Sequence, residues 1–234
     1  MYECNQFTRT ELALGKDGIE KLKNSKIVLF GLGGVGSYIA EALARVGIGN
    51  LIIVDGDTVD ITNINRQLIA NINTIGKNKA ELVKERISLI NPLANVVAIS
   101  KFVKSEDDID FIDETVDYVI DAIDDFDAKI MIIKKAKEIG LNLISSMGTA
   151  KRLHGDMFKI ADISKTKVCP LAKKMRRELR KLRINKVKVL YSDEIPAEMH
   201  EIDGYVGKSL GSVSFVPPVA GMLIAGEVVR DLLK

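Results

Sequence analysis

The feature that most constrains this chain is a glycine pattern seated between an apolar run and an amphipathic one: Gly31, Gly33 and Gly36 in KIVLFGLGGVGSYIAEALARVG. Ile27 to Phe30 is short, apolar and β-branched, the composition of a parallel strand buried on both faces. Ser37 to Val46 reads as a helix, and Asn50 to Val54 as a second buried strand that ends against Asp55. Strand, turn, helix and strand within about thirty residues is the length of a βαβ crossover. In that setting each glycine has a mechanical task. The first allows the tight turn, the second lets a phosphate reach the backbone, and the third lets helix and strand close together. The helix N-terminus then offers free N–H groups and a positive dipole end to an anion. Asp55 stands where a carboxylate accepts from ribose hydroxyls. A bound nucleotide follows from this pattern; the choice between NAD and ATP does not.

The same rhythm continues downstream. Lys77 to Ile90 reads as a helix, with Ala80, Val83, Ile87 and Ile90 at helical spacing and Pro92 closing it. Val96 to Ile99, Tyr118 to Ile120 and Leu141 to Ser145 are strands, with a helix over Ala128 to Ile139. Such alternation predicts an α/β fold: a Rossmann-like, doubly wound, mostly parallel sheet. After Gly148 the rhythm changes to a strand at Met157 to Ile160, a basic helix at Leu171 to Leu182 and a strand at Val187 to Tyr191. A long crossing loop, Ser192 to Ser214, leads to an apolar terminal helix from Pro217 to Leu233, with Pro217 or Pro218 in its first turn. Residues 1–150 therefore read as a nucleotide-binding core and 151–234 as an extension of the same continuous domain.

Composition narrows the class. Hydrophobic residues at 47% and charged residues at 28% exclude a disordered chain. Two cysteines, Cys4 and Cys169, exclude both a disulfide framework and paired CxxC zinc ligands. The longest apolar stretch, Phe215 to Gly226, is interrupted by Pro217 and Pro218 and is too short to span a membrane. The first fifteen residues carry no apolar core of a secretory signal, so a cytoplasmic setting is expected. The net charge of +2 conceals a strongly acidic segment, 105–127, and a strongly basic one, 173–189. The acidic run is expected to be a solvated face.

The residues after Asp55 separate the two nucleotides. Asp57, Asn63, Asn65, Arg66 and Gln67 surround the ribose acid with polar groups and a cation, and Lys79 opens the next helix. A nicotinamide site needs an apolar surface for hydride transfer, whereas Arg66 and Lys79 suit a triphosphate and a developing pyrophosphate charge. Asp124 in VIDAIDDFDAK is expected to end a strand at the carboxyl edge of the sheet, where an acid can hold Mg²⁺ against phosphate oxygens. The competing reading is a helix N-cap, with Asp125 or Asp127 equally placed for it.

GLGGVGSYIAEALARVGIGNLIIVDGDTVDITNINRQ, with GKNKAE and DAIDDFDAK, resembles the ubiquitin-activating-type adenylating enzymes, which include sulfur-carrier adenylyltransferases of thiamine and molybdopterin synthesis. The distal half, ADISKTKVCPLAKKMRRELRK and GSVSFVPPVAGMLIAGEVVRDLL, is similar to their tRNA threonylcarbamoyladenosine dehydratase branch. The resemblance implies ATP-dependent adenylation of a carboxylate by a homodimer, with tRNA as substrate and a sulfur-relay protein as a partner. It places ATP contacts on Gly34, Asp55, Asn63, Arg66, Lys79 and Asp124, with Gln67 and Asp125 beside them. It assigns Arg9 to the partner subunit's nucleotide. Lys173, Lys174, Arg176, Arg177, Arg180, Lys181 and Arg183 form a candidate track for the tRNA backbone. The alternative is adenylation of the C-terminal glycine of a ubiquitin-like sulfur carrier, which would use the same ATP residues. A nicotinamide oxidoreductase is the third reading.

Overall fold

The computed structural model describes residues 3–207 and 210–234. Among the described residues seven strands form one sheet: β1 (Lys26–Phe30), β2 (Asn50–Val54), β3 (Asn95–Ile99), β4 (Tyr118–Asp121), β5 (Asn142–Ser146), β6 (Phe158–Asp162) and β7 (Lys188–Ser192). Their spatial order is β3-β2-β1-β4-β5-β7-β6. All neighbours are parallel except β6, which runs antiparallel to β7 on the outer edge. The chain winds outward from β1 to β3 and then returns to place β4 on the other side of β1. That reversal opens a crevice at the carboxyl ends of β1 and β4, where doubly wound sheets bind ligands. Strands from both 1–150 and 151–234 share this sheet.

Helices cover both faces, which is why β1 and β2 read as near-continuous apolar runs. One face carries α1 (Thr8–Asn24), α2 (Gly36–Val46), α3 (Lys79–Ile90) and α6 (Val216–Leu233) around Leu22, Leu43, Val83 and Ile224. The other carries α4 (Phe126–Ile139) and α5 (Pro170–Lys181) around Ile132, Ile133, Met175 and Leu179.

Several expectations are refined. Lys77 lies in the turn before α3, because Asn78 accepts from the Glu81 amide at 3.2 Å and starts the helix at Lys79. The fourth helix starts at Phe126 rather than Ala128, because Asp125 accepts from the Ala128 amide at 2.8 Å. The acidic segment is solvated only in part: Ile109, Ile112, Val116 and all of β4 are buried beneath its carboxylates. The first helix, α1, adds an element before β1. Leu22 is its only fully buried residue among those described, and Gly15, at φ +75°, breaks it into two pieces.

The terminal helix is fastened to the sheet by a polar cluster at the amino edge. Tyr118 Oη donates to Asp231 Oδ2 at 2.8 Å, and Lys188 Nζ donates to Asp231 and, at 2.8 Å, to Glu227. Burial would raise the Asp231 carboxyl, but hydrogen bonds from Lys188, Lys234 and Tyr118 outweigh it and hold it at about 2. A carboxylate held that far below its ordinary value contributes about 2 kcal/mol. That contribution is complete above about pH 4 and disappears as pH falls through about 2. Asp231→Asn is therefore expected to cost about 2 kcal/mol at pH 7 by urea unfolding, with variant and wild type converging toward pH 2.

Candidate active site

The crevice begins with the glycine turn. Gly31 sits at φ +83°, and a Cβ there would lie 2.7 Å from the Ala122 carbonyl oxygen. A Cβ on Gly36 would lie 1.7 Å from the Gly31 carbonyl oxygen, so no other residue fits while α2 meets β1 this closely. Gly33 differs. A Cβ there would meet only Gln67 Nε2 at 3.7 Å, an ordinary contact, so the protein alone does not demand glycine. Close approach of a ligand to the backbone does. Val35 provides no side-chain cap to α2, and among the described residues the amides of Gly33, Gly34 and Val35 donate to no protein acceptor. Those donors and the helix dipole suit a phosphate.

The turn after β2 closes around this loop. Asp55 accepts from the Leu32 amide at 2.6 Å and from the Asp57 amide at 2.8 Å, which ties the ribose acid to the glycine turn. Burial pushes its carboxyl above the ordinary range, against the pull of these amides and Lys79. Beside it the half-exposed Phe102 ring lies so near Gly56 that a Cβ there would be 2.7 Å away. Periodicity does not single out Phe102, because it follows β3 in an irregular stretch. Lys79 is buried, and its Nζ donates to Asp57 Oδ2 at 2.9 Å. Asn63 is also buried, and its Oδ1 accepts from the Asp60 amide at 3.1 Å, locking the turn. Arg66 Nη1 donates to the Thr62 carbonyl at 2.9 Å and to Asn65 Oδ1 at 3.0 Å. Asn65 in turn donates to the Ser212 carbonyl at 2.9 Å, joining this turn to the crossing loop. Gln67 Oε1 is buried without a hydrogen-bond partner among the described residues, a cost that a ligand donor would relieve.

Asp124 requires a correction. The acid that ends β4 is Asp121; Asp124 stands three residues further on, in the exposed loop before α4. Among the described residues its carboxylate takes part in no hydrogen bond or ion pair. Asp125 is the N-cap, so of these two neighbours only Asp124 has a free carboxylate. The loop itself is held by a pair not anticipated from sequence. Lys129 and Asp121 are both fully buried, with Nζ donating to Asp121 Oδ2 at 2.8 Å and to the Ser146 carbonyl at 2.8 Å. Ser145 Oγ also donates to Asp121, whose other oxygen accepts from the Ile123 amide at 3.2 Å. The available signal was Lys129 itself, a cation in the apolar stripe of Ile132, Ile133 and Ala136.

Other predicted residues lie apart from the crevice. Arg9 is exposed on α1 and, among the described residues, has no hydrogen bond or ion pair with those of the crevice. Cys169 is buried at the start of α5. On α5 the cations line an open groove of about 650 Å³, with Lys173, Lys174, Arg177, Arg180 and Lys181 along it. Arg176 is half-buried and donates to the Thr166 carbonyl at 2.9 Å and to its hydroxyl. Arg183 follows the helix at φ +58°. Among the described residues no α5 cation pairs with the acidic segment; Lys181 pairs with Glu178 on its own helix. Removing one member of the Asp121–Lys129 pair leaves a buried charge uncompensated. Lys129→Met is expected to destabilise the fold by about 3–5 kcal/mol, and Asp121→Asn in the same chain to recover much of that loss in thermal unfolding.

Comparison with known proteins places this geometry. A tRNA threonylcarbamoyladenosine dehydratase of Bacillus subtilis (strain 168) is 47% identical over 242 aligned positions, covering 98% of this chain and 95% of that protein. The E. coli tRNA N6-threonylcarbamoyladenosine dehydratase TcdA in complex with AMP superposes with a TM-score of 0.89 at 30% identity, covering 97% of this chain and 94% of that one. Its complex with ATP gives a TM-score of 0.87 at 28% identity, covering 97% and 93%. The model of the ThiF family matches residues 7–234, and with the glycine turn, the polar turn after β2 and the doubly wound sheet all in place, the chain belongs to that family.

Proposed function

We propose that this protein is an ATP-dependent dehydratase that cyclises threonylcarbamoyladenosine in tRNA. The observation that carries the reading is the crevice between β1 and β4. There a ligand-demanded glycine, unpaired loop amides and an orphaned buried Gln67 oxygen converge with a free carboxylate and a pinned lysine. The dehydratase relatives that extend along nearly the whole chain support it.

In this reading Asp55 accepts from the ribose, with Phe102 flanking the base, and the Gly33–Val35 amides hold phosphates. Asn63, Asn65, Asp57 and Gln67 shape the pocket. Asp124 and the nucleotide phosphates would hold Mg²⁺, a fit for an ion that takes one or two carboxylates and keeps several waters. When bound, that ion neutralises phosphate charge. The threonine carboxylate oxygen attacks the α-phosphorus, forming an acyl adenylate and releasing pyrophosphate, while Arg66 and Lys79 offset the charge developing on the phosphates. A group of the neighbouring carbamoyl unit then attacks the activated carbonyl, AMP leaves and a ring closes, with net loss of one water. Nucleophile and electrophile share one side chain, so orientation accelerates the second step and no enzyme nucleophile is required. Buried Cys169 fits that economy.

The α5 groove, continuous and basic, suits a tRNA backbone better than a ubiquitin-like carrier tail, which an apolar and acidic surface would receive. We assign homodimerisation to α6, where Val219, Met222 and Leu223 are exposed apolar residues; Arg9 would cross that interface. A sulfur-relay partner would meet the crossing loop, where Ile195, Met199 and Ile202 are exposed among Glu198, Glu201 and Asp203. No described helix is long and apolar enough to cross a membrane, and the reading sets the enzyme in the cytoplasm with its tRNA.

Incubation with ATP, Mg²⁺ and tRNA bearing threonylcarbamoyladenosine, followed by mild digestion and nucleoside mass spectrometry, is expected to reveal ATP-dependent loss of one water. No change with bound ATP would move the reading to a carrier adenylyltransferase. Arg66→Ala and Asp124→Ala are expected to lower pyrophosphate release by about 10²–10³-fold with an unaltered circular dichroism spectrum. Full activity in either would remove its assigned role. Because Arg176 is tied to Thr166, the groove is tested with Lys173→Glu and Arg177→Glu together. Loss of two phosphate contacts should weaken tRNA binding and reduce the slope of log affinity against log salt by about 2.

A further inference from the structure

Phe126 takes no part in the chemistry above, yet it stands between the two halves of the proposed site. It is the first residue of α4, directly after the capping Asp125 and two residues beyond Asp124. One side of the residue packs against the apolar cluster beneath α4 and α5, and the ring is only partly buried. Over its face rests the Lys174 ammonium, 3.6 Å from the ring centroid. Lys174 belongs to the cationic groove, so this contact joins that groove to the loop that carries Asp124. For a lysine of the groove to lie on the ring, the ring face must open toward the groove.

A row of cations answers backbone phosphates but offers nothing to a base. Single-stranded RNA is held where a cationic track meets an aromatic face, since every base has a π face and an unstacked base loses contact with water on the ring. A duplex exposes no such face, so a ring at this place selects an unpaired or splayed nucleotide. We propose that the Phe126 ring is a stacking platform for one unpaired base of the tRNA substrate, a face that Lys174 covers in this structure. As the base arrives, Lys174 transfers to a backbone phosphate, where a full anionic charge replaces the weaker attraction of the ring. A base held there lies beside the Asp124 loop, which orients its nucleoside toward the nucleotide crevice. The proposal rests on the tRNA reading of the site and adds to it the residue that recognises an unstacked base.

The test couples protein and RNA changes. Stem-loops that contain the threonylcarbamoyladenosine site of the tRNA, with one abasic nucleotide moved through each loop position, are titrated against the wild type and Phe126→Leu by fluorescence anisotropy. Leucine keeps apolar packing on the cluster and removes the flat face. Phe126→Leu is expected to weaken the intact RNA about tenfold, with ATP affinity unaltered, and Phe126→Trp to restore binding. At one loop position the abasic RNA should lose the same factor with the wild type and nothing further with Phe126→Leu. Unaltered affinity in Phe126→Leu, or additive losses at every position, overturns the platform. Dehydration by the wild type in the same preparation then leaves the enzymatic reading standing. Absence of both dehydration and RNA binding, with a ubiquitin-like carrier tail bound instead, overturns the two together.

Discussion

The site depends on one close approach. α2 meets β1 with the Gly31 carbonyl lying where a Gly36 Cβ would stand, and the tight turn at Gly31 passes against the Ala122 carbonyl at the end of β4. These contacts aim the helix N-terminus across the carboxyl ends of β1 and β4. They also bring Arg66 and Pro217 over Gly34, where a Cβ would lie 3.3 Å from Arg66 Cγ and 3.0 Å from Pro217 Cβ. A single methyl group at Gly36 would force α2 off the sheet. With it would go the loop amides, the Asp55–Leu32 hydrogen bond and the seat of α6.

Around that approach the protein uses buried polar pairs to hold loops that must remain accessible. Lys129 and Asp121 lie wholly inside, and their bonds to Ser145, Ser146 and the Ile123 amide clamp the base of the Asp124 loop. Lys79 is buried too, although its partner Asp57 is exposed. In the proposed site Asp124 then stands on a clamped loop and Lys79 on a buried stem, which favours a preorganised electrostatic site over a mobile one. At the opposite edge of the sheet, Tyr118, Lys188, Glu227 and Asp231 serve only to fasten α6. Ion pairing therefore supports the proposed site at one edge, where Lys129 and Asp121 are wholly buried, and fastens the fold at the other, where Lys188 stays partly exposed.

The proposed chemistry makes modest demands on the protein. Activation and cyclisation occur within one substrate side chain, so the enzyme must bind, align and neutralise charge rather than supply a nucleophile. That accounts for a crevice that offers amides and cations, while Cys169 is sealed in the core at the start of α5, away from it. It also gives the basic helix a geometric purpose. Through Lys174 its cations touch Phe126, which adjoins the loop that carries Asp124.

By itself the sequence determined the alternating strands and helices, the phosphate turn and the order of the polar residues after β2, because these depend on local periodicity and on glycines whose spacing is a backbone requirement. It also carried the family resemblance. Tertiary structure decided what long-range partners impose. It showed that Asp121 rather than Asp124 ends β4 and is neutralised by Lys129, eight residues away in sequence but one layer beneath it. It separated Asp125 as a cap from Asp124 as a free acid, tied Arg176 to Thr166 and broke α1 at Gly15. A sequence lists which side chains carry charge. Only packing fixes which of those charges are already matched, and an unmatched charge at the mouth of a crevice is what a substrate meets.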